Sequence, residues 1–187
     1  MKKYILLLTI LTFSFNSLAQ EKVNWITLNE ALELQKTAPK KIIMDVYTNW
    51  CAPCKMLDKN TFQNNDVATY INKNYYAVKF NGEGNDSIQY EGNIFKNPKY
   101  KESLKNRRNS SHEFANYMGI NAYPTIVFMG ETGNLIMPLK GYREPNQLEL
   151  YLKLFKDDDY KKIVSKEKFT NYQKTFKPEF KTTTSKK

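Results

Sequence analysis

The sequence predicts one domain of the mixed α/β (or α+β) class, in which helices flank a central mixed sheet of about four to five strands. Short apolar, β-prone runs alternate with amphipathic helical patterns, and two of the later runs are separated only by a Gly-containing turn. The resulting order, β-α-β-(α)-α-β-β-α, is typical of a sheet covered by helices. A chain of 187 residues is also long enough to bury one proper core.

The first half of this domain alternates helices and strands. Thr27 and Glu30 have the spacing of a capping box, and the apolar helical pattern that follows them ends before Pro39. The run IIMDVY (Ile42–Tyr47) is short and apolar, which predicts a buried strand. The remaining patterns of this half predict a helix from about residue 53, a helix from about residue 66 and a strand at residues 75–80.

The second half begins with an insertion. Residues 81–109 are polar and lysine-rich, and we expect one short helix in them. The sequence leaves two alternatives open for the aromatic residues of this insertion: they pack on the core or they line a partner-binding surface. These residues are Tyr90, Phe95 and Tyr100. Ser110 and Glu113 offer a second capping box, for a helix that ends at Gly119. The last patterns predict a hairpin of strands at residues 125–129 and 135–139, a closing helix at 145–155 and one more short helix.

The first 19 residues have the layout of a cleavable secretory signal. Lys2 and Lys3 precede an almost unbroken apolar run at residues 4–15, and Ser17 and Ala19 supply small residues at the −3 and −1 positions. A membrane anchor needs about 20 apolar residues, and this run is shorter. We therefore expect cleavage after Ala19 and export of the domain, to the periplasm in a diderm source and as a secreted protein otherwise.

The net charge of +10 has to be interpreted together with export. In a cytosolic protein it would favour nucleic acid as a partner, but we expect no nucleic-acid partner for an exported one. The lysines are densest at residues 157–187, which predicts a solvated C-terminal basic extension with, as the alternative, some affinity for anionic lipid. The domain itself is expected to occupy residues 20–156.

The two cysteines of the chain, Cys51 and Cys54, lie two residues apart in NWCAPCK. The spacing fits a structural disulfide, half a metal site or a redox pair. A zinc site usually takes four ligands, and the chain has no third cysteine and only one histidine. A structural disulfide gains most from closing a long loop, and this loop is very short. The sequence therefore favours a redox pair with no metal and no organic cofactor.

The position of the pair indicates a role for each thiol. Cys51 lies at the end of the predicted strand and the start of a helix, where unpaired N–H groups and the helix dipole stabilise an anion. The thiolate is the reactive species, so we expect Cys51 to attack and Cys54, one turn later and facing inward, to resolve. Pro53 fits the first turn of a helix and limits motion between the two sulfurs.

These residues closely resemble the thioredoxin superfamily. Residues 45–55 (DVYTNWCAPCK) are similar to its strand and active-site block, and residues 123–125 (YPT) to its cis-proline element. The resemblance covers roughly residues 25–155 and implies a thioredoxin fold. Residues 55–62 (KMLDKNTF) further resemble the C-terminal periplasmic domain of the membrane thiol:disulfide interchange reductase.

The resemblance implies roles for other positions. A carboxylate at Asp45 would be buried and would take the proton of the resolving thiol, since burial raises the pKa of a carboxyl group. Lys79 would tune that carboxylate, or would simply face solvent. Trp50 would form part of the substrate surface, or would be a core aromatic.

In the same family pattern, a cis bond at Pro124 would place the Tyr123 backbone beside the sulfurs, where an extended substrate could pair with it. We expect His112 to be a solvated helix cap with no catalytic part.

The function implied is an exported thiol–disulfide oxidoreductase, most directly a reductase of protein disulfides. A disulfide oxidase or isomerase, and a non-enzymatic adaptor that binds a partner protein, are the alternatives. The expected partners are disulfide-containing proteins and a membrane or soluble electron donor, and the expected state is a monomer.

Overall fold

The computed structural model describes residues 20–182; the predicted signal at residues 1–19 and the last residues, 183–187, lie outside them. Strands and helices alternate as the sequence patterns predicted. In chain order the elements are β1 (Trp25–Ile26), α1 (Leu28–Gln35), β2 (Ile42–Tyr47), α2 (Ala52–Leu57), α3 (Asn65–Asn74), β3 (Tyr76–Asn81), β4 (Ile88–Tyr90), β5 (Asn93–Phe95), α4 (Glu113–Tyr117), β6 (Thr125–Met129), β7 (Leu135–Lys140), α5 (Pro145–Lys156) and α6 (Lys166–Thr175).

Five of the strands form one mixed sheet in the order β1-β3-β2-β6-β7. β1, β3 and β2 run parallel, whereas β6 and β7 are antiparallel to their neighbours. This confirms the predicted mixed sheet and the predicted β6–β7 hairpin. β2 is central and covered on both faces, and for this reason its sequence is an almost continuous apolar run.

Helices cover the sheet on both faces because side chains along each strand alternate between them. On one face, Ile43 and Phe128 pack against α3 and α5. On the other face, Met44 and Phe80 pack against α1 and α4. Asp45 follows Ile43 by two residues, so it lies on the face that α3 and α5 cover.

The two predicted capping boxes have different outcomes. Thr27 caps α1 as predicted, with its hydroxyl accepting from the Glu30 N–H and its own N–H donating to the Glu30 carboxylate. The box at Ser110 is wrong, because His112 is the N-cap of α4 and its Nδ1 accepts from the Phe114 N–H at 3.0 Å. Glu113 instead accepts from the N–H of Lys96.

His112 is also not solvated, contrary to the sequence prediction. The side chain is fully buried, and its Nε2 lies 2.7 Å from the carbonyl oxygen of Asp86. Its ring packs edge-on against Phe80. The histidine therefore joins the insertion to the core as well as capping α4.

Residues 81–109 contain structure that the sequence patterns did not reveal. β4 and β5 form a small antiparallel hairpin, and a single 3₁₀ turn follows at Glu102–Leu104. Tyr90 and Phe95 both pack against Phe114 of α4, at centroid distances of 5.2 and 5.3 Å. These two aromatics therefore serve packing, while the Tyr100 hydroxyl donates to Glu102 at the surface.

The lysines of the C-terminal extension are exposed in the part that the structure describes, but the extension also docks on the core, which the sequence did not predict. Glu149 of α5 is fully buried, and its carboxylate accepts from the backbone N–H groups of Glu179 and Phe180, both at 2.8 Å. The Phe180 ring packs on Tyr70. A buried carboxylate needs such donors, so this contact holds the extension against α3 and α5.

None of the helices within residues 20–182 combines the length and the apolar character that a bilayer crossing requires.

Candidate active site

The two cysteines lie where β2 passes into α2 and form a disulfide with each other. Cys51 is the N-cap residue of α2, and the backbone N–H of Cys54 donates to its sulfur over 3.1 Å. In the reduced protein this donor and the helix dipole favour a thiolate on Cys51. Exposure does not distinguish the two residues, at 2% and 4%, so the attacking role of Cys51 rests on its place at the helix start.

Asp45 lies on β2, six residues before Cys51. It is 1% exposed, and within residues 20–182 neither of its carboxylate oxygens has a hydrogen-bond partner. Burial raises the pKa of this carboxyl group to about 6, although the nearby Lys79 ammonium opposes the shift. Asp45 can therefore take up or release a proton near neutral pH.

Lys79 lies beside Asp45 across the β2–β3 pairing. Its ammonium nitrogen is 3.4 Å from the Asp45 carboxylate and also contacts the Asp58 carboxylate. The ring of Trp25 lies 4.8 Å from the same ammonium. The lysine is thus held between two carboxylates, as the tuning role requires, and does not project freely into solvent.

Asp58 is a member of this group that the sequence analysis did not identify. It begins a π-helical turn, Asp58–Phe62, that continues α2. Cys54 and Asp58 are four residues apart, a spacing that places two side chains on one helix face. That spacing was the available signal, and it predicts a carboxylate beside the resolving thiol.

A cavity of about 430 Å³ joins these groups, and both Asp45 and Cys54 line it. Lys79, Asp58 and Asn106 are further lining residues. Water in such a cavity can carry a proton between the carboxylate and the surface, because polar groups line its walls. The cavity is therefore the place where a proton leaving Cys54 would be received.

Trp50, the residue before Cys51, contacts Tyr123, the residue before the cis-proline. Their rings meet edge-on with centroids 6.3 Å apart, and the Tyr123–Pro124 peptide bond is cis, as the resemblance implied. The Trp50 indole N–H donates to the Glu83 carboxylate at 2.7 Å. A Cβ on Gly82 would come within 2.6 Å of the Tyr123 ring, so a larger residue there would displace that ring.

The insertion contributes contacts to the site that sequence reasoning missed. The Asn49 side-chain amide donates to the carbonyl oxygen of Lys105 at 2.7 Å, and the Arg108 guanidinium lies 4.7 Å from the Trp50 ring. Glu83 accepts from the Asn109 N–H as well as from Trp50. No local pattern reveals such contacts, because each joins residues more than 20 positions apart.

A disulfide between two cysteines in a CxxC motif at a strand–helix junction, with a cis-proline before a neighbouring strand, defines a thiol–disulfide oxidoreductase of thioredoxin fold. A family model described as a thioredoxin-like domain matches residues 28–156, and the chain belongs to that family. A search of curated proteins by sequence found no significant match. Within residues 20–182 no three His, Cys, Asp or Glu side chains cluster in a way that could hold a metal ion.

Solved structures of the same fold include a thioredoxin-fold protein from Helicobacter pylori, with 20% identity, a TM-score of 0.56, and coverage of 80% of this chain and 84% of that one. The DsbH oxidoreductase has 19% identity and a TM-score of 0.50, covering 75% of this chain and 87% of its own. A thioredoxin from Thermus thermophilus has 14% identity and a TM-score of 0.52, and the match covers 72% of this chain and 87% of that one. At these identities the likeness concerns the fold alone.

Proposed function

We propose that the protein is an exported reductase of protein disulfides. The observation that carries the proposal is the cavity that Asp45 and Cys54 share, in which burial raises the pKa of the carboxyl group to about 6. A reductase must deprotonate its resolving thiol to release substrate, and a base with a pKa near the working pH does so efficiently.

In the first step the Cys51 thiolate attacks one sulfur of the substrate disulfide. A bond forms between Cys51 and that sulfur, the substrate S–S bond breaks, and the other substrate sulfur leaves as a thiolate that takes a proton from water. The product is a mixed disulfide between protein and substrate.

In the second step Asp45 accepts the proton of Cys54, directly or through water in the cavity. The Cys54 thiolate attacks the Cys51 sulfur, a Cys51–Cys54 bond forms, the mixed disulfide breaks, and the second substrate sulfur leaves as a thiolate that takes a proton from water. The substrate gains two electrons and the protein loses two, ending as the Cys51–Cys54 disulfide that the structure contains. A membrane or soluble electron donor then returns the pair to the dithiol.

The reducing direction is supported by the residue before Cys54. Pro53 occupies this position, as in reducing members that the motif resembles, whereas strongly oxidising members tend to have histidine there. Export is supported by the signal-like layout of residues 1–19, and the substrates would then be disulfide-containing proteins outside the cytoplasm.

The reduction potential of the pair tests the direction. Equilibration with glutathione redox buffers and quantification of the dithiol by alkylation and mass spectrometry give the value. We expect a potential near that of thioredoxin, about −270 mV, and a value near about −120 mV would assign an oxidase instead.

Cysteine variants test whether the protein acts as an enzyme at all. Cys51→Ser should abolish disulfide reduction, whereas Cys54→Ser should still attack and should accumulate the mixed disulfide, which mass spectrometry detects. A Cys51→Ser protein that restores a deletion phenotype fully would favour the adaptor alternative. N-terminal sequencing of the protein from its native host tests export, with Gln20 as the expected first residue.

A further inference from the structure

Four consecutive residues of the insertion, residues 105–108 (Lys-Asn-Arg-Arg), lie against the active site, and we call them the basic arch. All four are exposed. The arch contacts the residues just before the cysteines: the Lys105 carbonyl oxygen accepts from Asn49, and the Arg108 guanidinium lies over the Trp50 ring.

The arch is held in place at both ends. A 3₁₀ turn at Glu102–Leu104 leads into it, and the Arg107 N–H donates to the Leu104 carbonyl oxygen. After the arch, the N–H of Asn109 donates to Glu83, and the Asn109 side chain makes two hydrogen bonds with the Lys101 backbone. A segment fixed in this way presents its charges to a substrate at little further cost in conformational entropy.

The charges of the arch are largely free to meet a ligand. Lys105 pairs with Glu102, whereas neither Arg107 nor Arg108 forms an ion pair with any acidic residue among residues 20–182. The Glu83 carboxylate is already occupied by the Trp50 indole and the Asn109 N–H.

A further positive charge lies beside the dithiol. Lys55 follows Cys54 directly and is exposed. It lines the same cavity as Asn106 of the arch, together with Asp45, Asp58 and Lys79. An approaching disulfide therefore meets the charge of Lys55 as well as the charges of the arch.

We infer that the basic arch selects protein disulfides flanked by acidic residues. This inference rests on the proposed function. Opposite charges around a reaction site raise the rate of encounter. The substrate carboxylates would contact Arg107 and Arg108 while the substrate disulfide approaches Cys51.

The test compares two peptides that differ only in the charge of their flanks. Each contains one disulfide, flanked by Glu and Asp in one peptide and by Gln and Asn in its twin. The second-order rate constant for reduction by the full-length dithiol protein is measured in single turnover by acid quenching and chromatography. The readout is the ratio of the two rate constants, acidic over amide.

Three variants accompany the wild type. Arg107→Gln/Arg108→Gln removes the two charges of the arch, and Arg107→Lys/Arg108→Lys keeps them. The matched control, Lys166→Gln/Lys174→Gln, removes two exposed charges from α6, which packs on α5 through Phe169 and Tyr151.

We expect a wild-type ratio of roughly three to ten at low salt, from the usual strength of exposed charge pairs, falling as ionic strength rises. The ratio should approach one in the glutamine variant and should stay near the wild-type value in the lysine variant and the control. A wild-type ratio of one, or an equal fall in the α6 control, would overturn the inference. Loss of reduction of both peptides by the wild type would instead contradict the proposed function.

Discussion

Replacing Asp45 by asparagine tests the buried carboxylate at the centre of the proposed mechanism. The wild-type group has its ordinary pKa of 3.8 in the unfolded chain and a pKa of about 6 in the folded one. Between these two values the folded state binds more protons than the unfolded state, so the free energy of unfolding falls as pH rises. The amide of the Asp45→Asn variant cannot ionise, so the free energy of unfolding of the variant does not fall with pH in this way.

The size of the effect follows from the shift. At about 1.4 kcal/mol per pKa unit, a pKa shift from 3.8 to about 6 lowers the free energy of unfolding of the wild type by about 3 kcal/mol. This loss is complete above pH 6 and absent well below pH 4. The stability advantage of Asp45→Asn over wild type should therefore grow by about 2 to 3 kcal/mol between pH 4 and pH 7.5. Any fixed cost of burying the amide cancels in this comparison, since it is the same at both pH values.

Urea unfolding of the oxidised protein measures the effect, because the disulfide removes both cysteine thiols from the titration. Asp86→Asn, which removes an exposed carboxylate, is the matched control and should show little change with pH. The Asp45→Asn variant should also resolve mixed disulfides at least roughly tenfold more slowly, since a general base contributes more than that. A stability difference that stays constant from pH 4 to 7.5 would refute the description of Asp45 as a buried carboxyl with a raised pKa.

The other predictions concern the neighbours of this group and the two segments that dock on the core. Lys79→Met removes the cation that lowers the pKa of Asp45, so the pH profile of mixed-disulfide resolution, followed by stopped flow, should move to higher pH by about one unit; an unmoved profile would contradict the coupling. Glu149→Gln weakens the acceptor of two backbone N–H groups, so the free energy of unfolding should fall by about 1 to 3 kcal/mol, and limited proteolysis should release the C-terminal extension sooner than in wild type. His112→Ala removes the cap of α4 and the contact with the insertion, so urea unfolding should show a loss of at least about 1 kcal/mol; wild-type stability would mean that the cap is dispensable.

Much of the fold could be predicted from the sequence because its signals are local. β2 and β6 have the predicted bounds, since each is a short, mostly apolar run whose ends are marked by a lysine and a threonine in β2 and by a proline and a glycine in β6. α1 begins at Thr27 because the two side chains of its capping box are only three residues apart. The cysteine pair was assigned to a strand–helix junction on the same kind of evidence.

The elements that were missed depend on partners far along the chain. β1 has two residues, too few to show a period, and exists because Trp25 and Ile26 pair with β3. β4 and β5 have three residues each and depend on packing against Phe114. The C-terminal extension contains many lysines, but its backbone is held by residues far along the chain, among them the buried carboxylate of Glu149 and the carboxylate of Asp66.

Trp50 shows that the active site, like the fold, has features that depend on residues far along the chain. The sequence left open whether it belongs to the substrate surface or to the core, because nothing within ten residues decides the matter. Its actual neighbours are Glu83, Arg108 and Tyr123, two of them in the insertion. The proposed redox chemistry depends on the cysteines and Asp45, which lie within one strand–helix unit. The proposed choice of substrate depends instead on the Arg107 and Arg108 side chains of the insertion, so substitutions there should alter selectivity while the cysteines and Asp45 stay in place.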